Sequence, residues 1–115
     1  LPALNTAALK GFTPLEAYLF QRASEETVLA TGAALDPNAL YIVLAGSVRH
    51  GEQTVMAGGC VNADVLFGQV DAITPVASEK TRLLTTTRAQ LIDLCDRYPR
   101  IGMKLYQNLA VYRAG

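Results

Sequence analysis

Ala39-Leu40-Tyr41-Ile42-Val43-Leu44-Ala45, followed by Gly46-Ser47-Val48-Arg49, is the stretch whose reading decides the fold. It is the most hydrophobic run in the chain, and it contains aromatic and β-branched side chains. A run of this length with a glycine behind it predicts a central strand buried on both faces. Gly46 predicts a kink or bulge, after which Ser47-Val48-Arg49 continues the strand. Just upstream, Asp36-Pro37-Asn38 predicts a turn, because proline fixes φ and the flanking side chains can bond the backbone.

Working outward, the chain alternates short apolar segments with glycine turns. His50-Gly51-Glu52-Gln53 predicts a turn, Thr54-Val55-Met56 the returning partner strand, and Gly58-Gly59 another turn. Asp64-Val65-Leu66 leads into Phe67-Gly68-Gln69-Val70-Asp71-Ala72-Ile73-Thr74-Pro75-Val76-Ala77-Ser78. Beyond it, Thr81-Arg82-Leu83-Leu84-Thr85-Thr86 reads as a closing strand, and upstream Thr27-Val28-Leu29-Ala30 reads as an opening one, with Gly32 behind it.

Helices flank this region. Thr13-Pro14-Leu15-Glu16 is a helix start, with Thr13 as cap, proline in the first turn and Glu16 reaching back to the cap. Leu15, Leu19 and Ala23 are expected on its buried face. Thr87-Arg88-Ala89-Gln90 is a second capping box, followed by the stripe Leu91, Leu94, Cys95 and Tyr98. Pro99 ends that helix and opens another, in which Ile101, Leu105, Leu109 and Tyr112 share a face. Ala7, Ala8 and Leu9 suit one more short helix, whose partner the sequence does not reveal.

The pattern predicts a mainly β architecture, an antiparallel β-roll of the jelly-roll kind flanked by N- and C-terminal α-helices. The expected layout is one domain over residues 1–115, with a helix at about 14–22, the roll at about 27–86 and helices at about 88–98 and 99–113. A parallel sheet would need helical crossovers, for which residues 27–66 leave no room. The expected core includes Leu40, Ile42, Val43, Leu44, Phe67, Leu84 and Leu91.

Composition narrows the function. Half of the 115 residues are hydrophobic and 17% are charged, an ordinary globular balance. Ten basic and ten acidic residues cancel, so no net field favours nucleic acid or an acidic membrane surface. No apolar run approaches the roughly 20 residues that span a bilayer. Leu1-Pro2-Ala3-Leu4 carries neither an initiator methionine nor a signal-peptide pattern, so an excised or processed piece is expected. Cys60 and Cys95 fit no metal or redox spacing and are expected as reduced thiols in a cytoplasmic protein.

Several of these segments, taken in order, resemble the cyclic-nucleotide-binding domain. Leu29 to Gly32, Asp36 and Leu40-Tyr41-Ile42-Val43-Leu44-Ala45-Gly46-Ser47-Val48 resemble its second and third strands. Gly58-Gly59 resembles its next turn, and Phe67-Gly68-Gln69 the start of its phosphate-binding cassette. Ala77 to Leu84 resemble the strand leaving the cassette, and Arg97-Tyr98-Pro99-Arg100-Ile101-Gly102 the helices that follow. The resemblance implies a ligand site at Phe67, Gly68, Gln69, Val70, Pro75, Val76, Ala77 and Ser78. In such a cassette a glycine and successive N–H groups cradle a phosphate. An arginine after the proline grips it, and a glutamate after Phe-Gly accepts from the ribose hydroxyl.

This chain departs at both side chains. Gln69 stands at the glutamate position and Val76 at the arginine position, and the loop between Gly68 and Pro75 is shorter than the family's. No arginine or lysine occurs from Phe67 through Glu79. Lys80 and Arg82 share one strand face, which serves solvent as readily as ligand. Gln69 is either a neutral ribose contact or a polar loop residue, and Thr74 and Ser78 either meet an anion or bond locally.

No catalytic constellation is present. His50 is the only histidine, in a turn where a solvated side chain is expected, and one histidine does not make a cupin metal site. The expectation is a non-catalytic regulatory or interaction module with lost or weak nucleotide binding, no catalytic residue, no metal and no cofactor. The alternative is a sensor still holding a cyclic nucleotide or another small ligand. Partners are expected to be other domains of a larger protein, or a second copy through helix 99–113. No direct nucleic-acid contact and no membrane span are expected.

Overall fold

A computed structural model describes residues 6–69 and 72–114. After a 3-10 helix over Ala7–Leu9, the elements are α1 (Pro14–Arg22), β1 (Glu25–Leu29), β2 (Ala39–Ala45), β3 (Ser47–His50) and β4 (Gln53–Met56). There follow β5 (Cys60–Val61), a 3-10 helix over Ala63–Phe67, β6 (Val76–Ala77), β7 (Thr81–Thr87), α2 (Arg88–Arg97) and α3 (Pro99–Ala114). Among the described residues the strands form a four-stranded sheet, β1-β7-β2-β5, and a three-stranded sheet, β4-β3-β6. All pairings are antiparallel. This is the β-roll with flanking helices that the sequence predicts.

β2 shows why its run carries no polar side. Leu40 and Ile42 enter a cluster with Phe20, Leu91, Leu94, Ile101, Leu105 and Leu109, on the helix side of the sheet. Ala39, Tyr41 and Val43 enter a second cluster with Val48, Val61 and Leu83, inside the roll between the sheets. Alternation along one strand therefore feeds two cores. Leu44 is only half-buried, contrary to expectation, because the strand runs out toward the corner and Ala45 is exposed. Phe67 is half-buried as well, at the end of its 3-10 helix.

The corner itself lies one step earlier than Gly46 implies, since the β2–β7 register shifts between Val43 and Ala45. Gly46 sits at φ +91°, and a Cβ there would stand 2.6 Å from Thr81 Oγ1 and 2.7 Å from the Lys80 carbonyl. Only glycine fits this turn. The chain then crosses into the second sheet as β3.

Both capping boxes form. Thr13 Oγ1 accepts from Glu16 N–H at 3.2 Å while Glu16 Oε1 accepts from Thr13 N–H at 2.8 Å. Thr87 and Gln90 repeat the exchange at 3.1 and 2.9 Å. The buried face of α1 is rotated from the expected one. Phe20 is fully buried, edge-on to Phe12, whereas Leu15 is 65% exposed. The larger ring takes the inward position, and Leu19 and Ala23 pack beside it. β1 begins at Glu25, ahead of the expected Thr27, because β7 offers partners down to Thr85.

Tyr98, extended at ψ 82°, breaks the helix before Pro99. In α3, Ile101, Leu105 and Leu109 are fully buried, so that stripe covers the roll. Among the described residues, the large exposed apolar side chains of α3 are Met103, Tyr106 and Val111. The partner of the first 3-10 helix is α3, where Asn108 Nδ2 donates to the carbonyls of Ala8 and Lys10 at 2.8 Å each. Lys104 Nζ donates to Glu16 Oε1, tying α1 to the same helix.

Candidate functional site

The predicted cassette begins at the 3-10 helix over Ala63–Phe67. Asn62 enters it at φ +64°, a conformation that asparagine tolerates better than most residues. Its Nδ2 donates to the carbonyls of Asp36 and Ala39 at 3.0 Å each, pinning the entry to the start of β2. Sequence reading passed over Asn62, and its polar side chain before a small apolar run was the available signal. Phe67 packs edge-on to Tyr106 with centroids 5.4 Å apart, and the Tyr106 hydroxyl reaches the Leu66 carbonyl at 3.5 Å.

Gly68, at φ +76°, ends the helix, and its N–H donates to the Val65 carbonyl at 3.1 Å. Gln69 is exposed, and its N–H donates to the Asp64 carbonyl at 3.2 Å. Both amides are thus engaged in closing the turn. A Cβ on Gly68 would stand 3.5 Å from Arg88 Nη2, so a cation lies beside the turn that sequence reading did not connect with it. Val70 lies outside the described residues.

At the far end, Pro75 is buried and its carbonyl accepts from Leu35 N–H at 3.0 Å. Val76 and Ala77 form β6, between β3 and a bridge to Ala34. Ala77 N–H donates to the Ala33 carbonyl at 2.9 Å, and Ser78 N–H to the Ser47 carbonyl at 3.1 Å.

The cross-strand register fixes which way these side chains face. Residues directly opposite each other in a sheet share a face. Ala77 stands opposite Val48, which belongs to the roll-interior cluster, and Ala77 is 1% exposed. Val76 stands opposite Arg49, and Arg49 opposite Thr54, both exposed. The position after Pro75 therefore lies on the outer face of the three-stranded sheet. The inward position at the cassette exit belongs to an alanine.

Electrostatics follow the same division. Arg82 lies on the helix-side parity of β7 with Leu84, and its Nε meets Glu26 Oε1 at 3.1 Å. That side chain faces away from the roll interior, and Lys80 is exposed before the strand begins. Ser78 takes the local reading, with its Oγ 2.8 Å from Ser47 Oγ, which also donates to Glu79 Oε2 at 2.9 Å. Thr81 Oγ1 completes this knot by donating to the Ser47 carbonyl at 2.9 Å. Inside the roll, the Tyr41 hydroxyl accepts from Asp36 N–H at 2.8 Å, and burial pushes its phenol up.

His50 departs from the solvated turn residue expected. It is the last residue of β3, half-buried, with Nε2 3.2 Å from the Ile73 carbonyl. Cys60 and Cys95 are free thiols, and burial raises both. No helix among the described residues is long and apolar enough to cross a membrane.

Comparison with solved structures places this geometry. A two-sheet roll, with a helix before it and two after it, is the architecture of cyclic-nucleotide-binding domains, and this chain has that fold. It superposes on the Catabolite Activator Protein of Thermus thermophilus with a TM-score of 0.77 and 24% identity, over 95% of this chain. It spans 57% of the length of that protein. The N-terminal domain of a transcriptional regulator from Streptomyces coelicolor gives a TM-score of 0.80 at 17% identity, over 95% of this chain and 91% of that one. A cyclic nucleotide-binding domain from Methylobacillus flagellatus gives 0.79 at 20% identity, over 90% and 67%. No protein-family model matches the sequence, and no curated protein matches it.

Proposed function

We propose that this chain is a non-catalytic regulatory or interaction module with the cyclic-nucleotide-binding fold, in which tight nucleotide binding has been lost. The observation that carries this reading is the state of the cassette. The amides of Gly68, Gln69, Ala77 and Ser78 all donate to protein carbonyls, and the inward side chain at the exit is Ala77. A cyclic phosphate entering the roll gives up water around its charge, and charge-assisted bonds return roughly 1.5–3 kcal/mol each. Neither Val76, turned outward, nor Ala77 supplies one. The site residues Phe67, Gly68, Gln69, Val70, Pro75, Val76, Ala77 and Ser78 are then a relic of the cassette, and the module needs no cofactor or metal.

Its partners on this reading are the neighbouring domains of a larger protein or a second copy. Leu105 and Leu109 are committed to the core, so an interface on α3 falls to Met103, Tyr106 and Val111. A cytoplasmic setting without nucleic-acid or membrane contact fits the balanced charge. A second reading, a sensor that still takes a small ligand, draws on Gly68 and the neighbouring guanidinium of Arg88.

Calorimetric titration with cyclic AMP and cyclic GMP tests the proposal. The expected dissociation constants are sub-millimolar or weaker. A value near or below about 10 μM, which is about −7 kcal/mol, would overturn it in favour of the sensor.

A further inference from the structure

The segment leading to β6 meets the tip of the β3–β4 hairpin at Ile73, through one hydrogen bond and the proximity of its side chain to a glycine. His50 Nε2 lies 3.2 Å from the Ile73 carbonyl. One residue on, a Cβ at Gly51 would stand 3.5 Å from Ile73 Cδ1, so the isoleucine side chain lies over the glycine. Gly51 is at φ +64°, in a loop of Gly51 and Glu52 that matches the twist of a tight hairpin. A larger residue there is strained by the backbone conformation.

His50 reaches this loop from the inner side of the roll. The β3–β4 ladder is regular from Ser47 to His50, so His50 shares the face of Val48. Val48 belongs to the roll interior. The imidazole therefore stands at the end of the inner row, where β3 leaves the apolar cluster and the cassette loop passes.

We propose that the hairpin tip is a clasp, with His50 and Gly51 holding the Ile73 segment against the roll so that the loop keeps its place without a ligand. The clasp rests on the proposed loss of tight nucleotide binding in one respect, since a loop without a ligand needs another tether. His50 acts here as a positioning residue. Its Nε2–H donates to the backbone of Ile73, and the isoleucine side chain adds apolar contact at the same point.

The test is amide hydrogen exchange on the intact chain without nucleotide, comparing peptides over residues 72–78 with peptides over β2. His50→Ala and Ile73→Ala should each speed exchange in the loop by about tenfold, the scale of one lost hydrogen bond or small apolar contact. Exchange in β2 should not change. His50→Gln, which keeps a donor, should exchange more slowly than His50→Ala. Loop exchange at the wild-type rate in both alanine variants would overturn the clasp. So would equal acceleration in loop and β2, which would mean that the contacts only stabilise the whole fold. Adding cyclic AMP at about 50 μM to the wild type, enough to fill a tight site but not a sub-millimolar one, separates the two proposals. Protection of the loop by nucleotide, with the variants still fast in its absence, would sink the loss of binding and leave the clasp standing.

Discussion

β2 and β6 commit their side chains in opposite ways. β2 is buried on two faces, and each of its inward side chains has a core to enter. β6 has two residues, one facing the roll interior and one facing away from it. Losing a side chain from β2 removes packed surface from one of two cores. Changing the side chain of Val76 touches neither core cluster, so that position can vary with little cost to the fold. Fold and binding chemistry are thus separable, and the proposed loss of tight binding requires no change in either core.

The largest effect that sharpens the contrast is within β2. Ile42→Ala should destabilise the protein by about 2–5 kcal/mol in a chemical melt, the range for emptying a fully packed site. Leu44→Ala should cost clearly less, because Leu44 is only half-buried. Equal losses at the two positions would contradict the assignment of Leu44 to the strand's exposed end.

The next effect compares neighbours in β6. Ala77→Arg places a charge without a partner in the roll interior and should cost about 3 kcal/mol or more. Val76→Arg puts the same side chain on the outer face and should change stability by no more than about 0.5 kcal/mol. Neither should create tight binding of cyclic AMP, the first because the amides of Ala77 and Ser78 stay bonded within the protein, the second because the guanidinium faces outward. A stable Ala77→Arg variant, or a large gain in affinity from Val76→Arg, would break the reading of the register.

A smaller effect concerns the seam between α1 and α3. The Glu16 carboxyl is held below the usual carboxylate range, chiefly by its hydrogen bond from Lys104 and then by the Thr13 N–H. A carboxyl lowered by folding contributes stability that is fully present above its unfolded pKa and is lost as pH falls through the folded value. Thermal midpoints measured from neutrality to roughly pH 3 should show the wild type ahead of Glu16→Gln, with the gap closing below the ordinary glutamate range of about 4.3. Glutamine keeps the capping box, so the comparison isolates the charge. A gap independent of pH would remove the Lys104 contact as its cause.

How much of this was legible follows from the kind of signal each feature leaves. The turns, both capping boxes and the double-faced β2 are local patterns of residue type, and they read directly from the sequence. The burial of Phe20 in place of Leu15 was not legible, because helical spacing defines a stripe without saying which edge of it meets the core. For the cassette, the missing cation was visible as Val76 in place of arginine. That Val76 faces outward was not, since it depends on β6 pairing with Val48 and Arg49, some thirty residues away in sequence. Sequence also gave no hint that His50 meets Ile73, because that contact joins the tip of one hairpin to a loop that follows two further turns.

The central claim is that the amides of Gly68, Gln69, Ala77 and Ser78 are already bonded within the protein. Amide NMR during titration with cyclic AMP and cyclic GMP observes these groups one by one. The account predicts that the signals of Gly68, Gln69, Ala77 and Ser78 show no saturable shift as either nucleotide is raised to about 50 μM. Saturable shifts at those four amides at micromolar nucleotide would mean that they exchange their protein acceptors for a phosphate, and would contradict it.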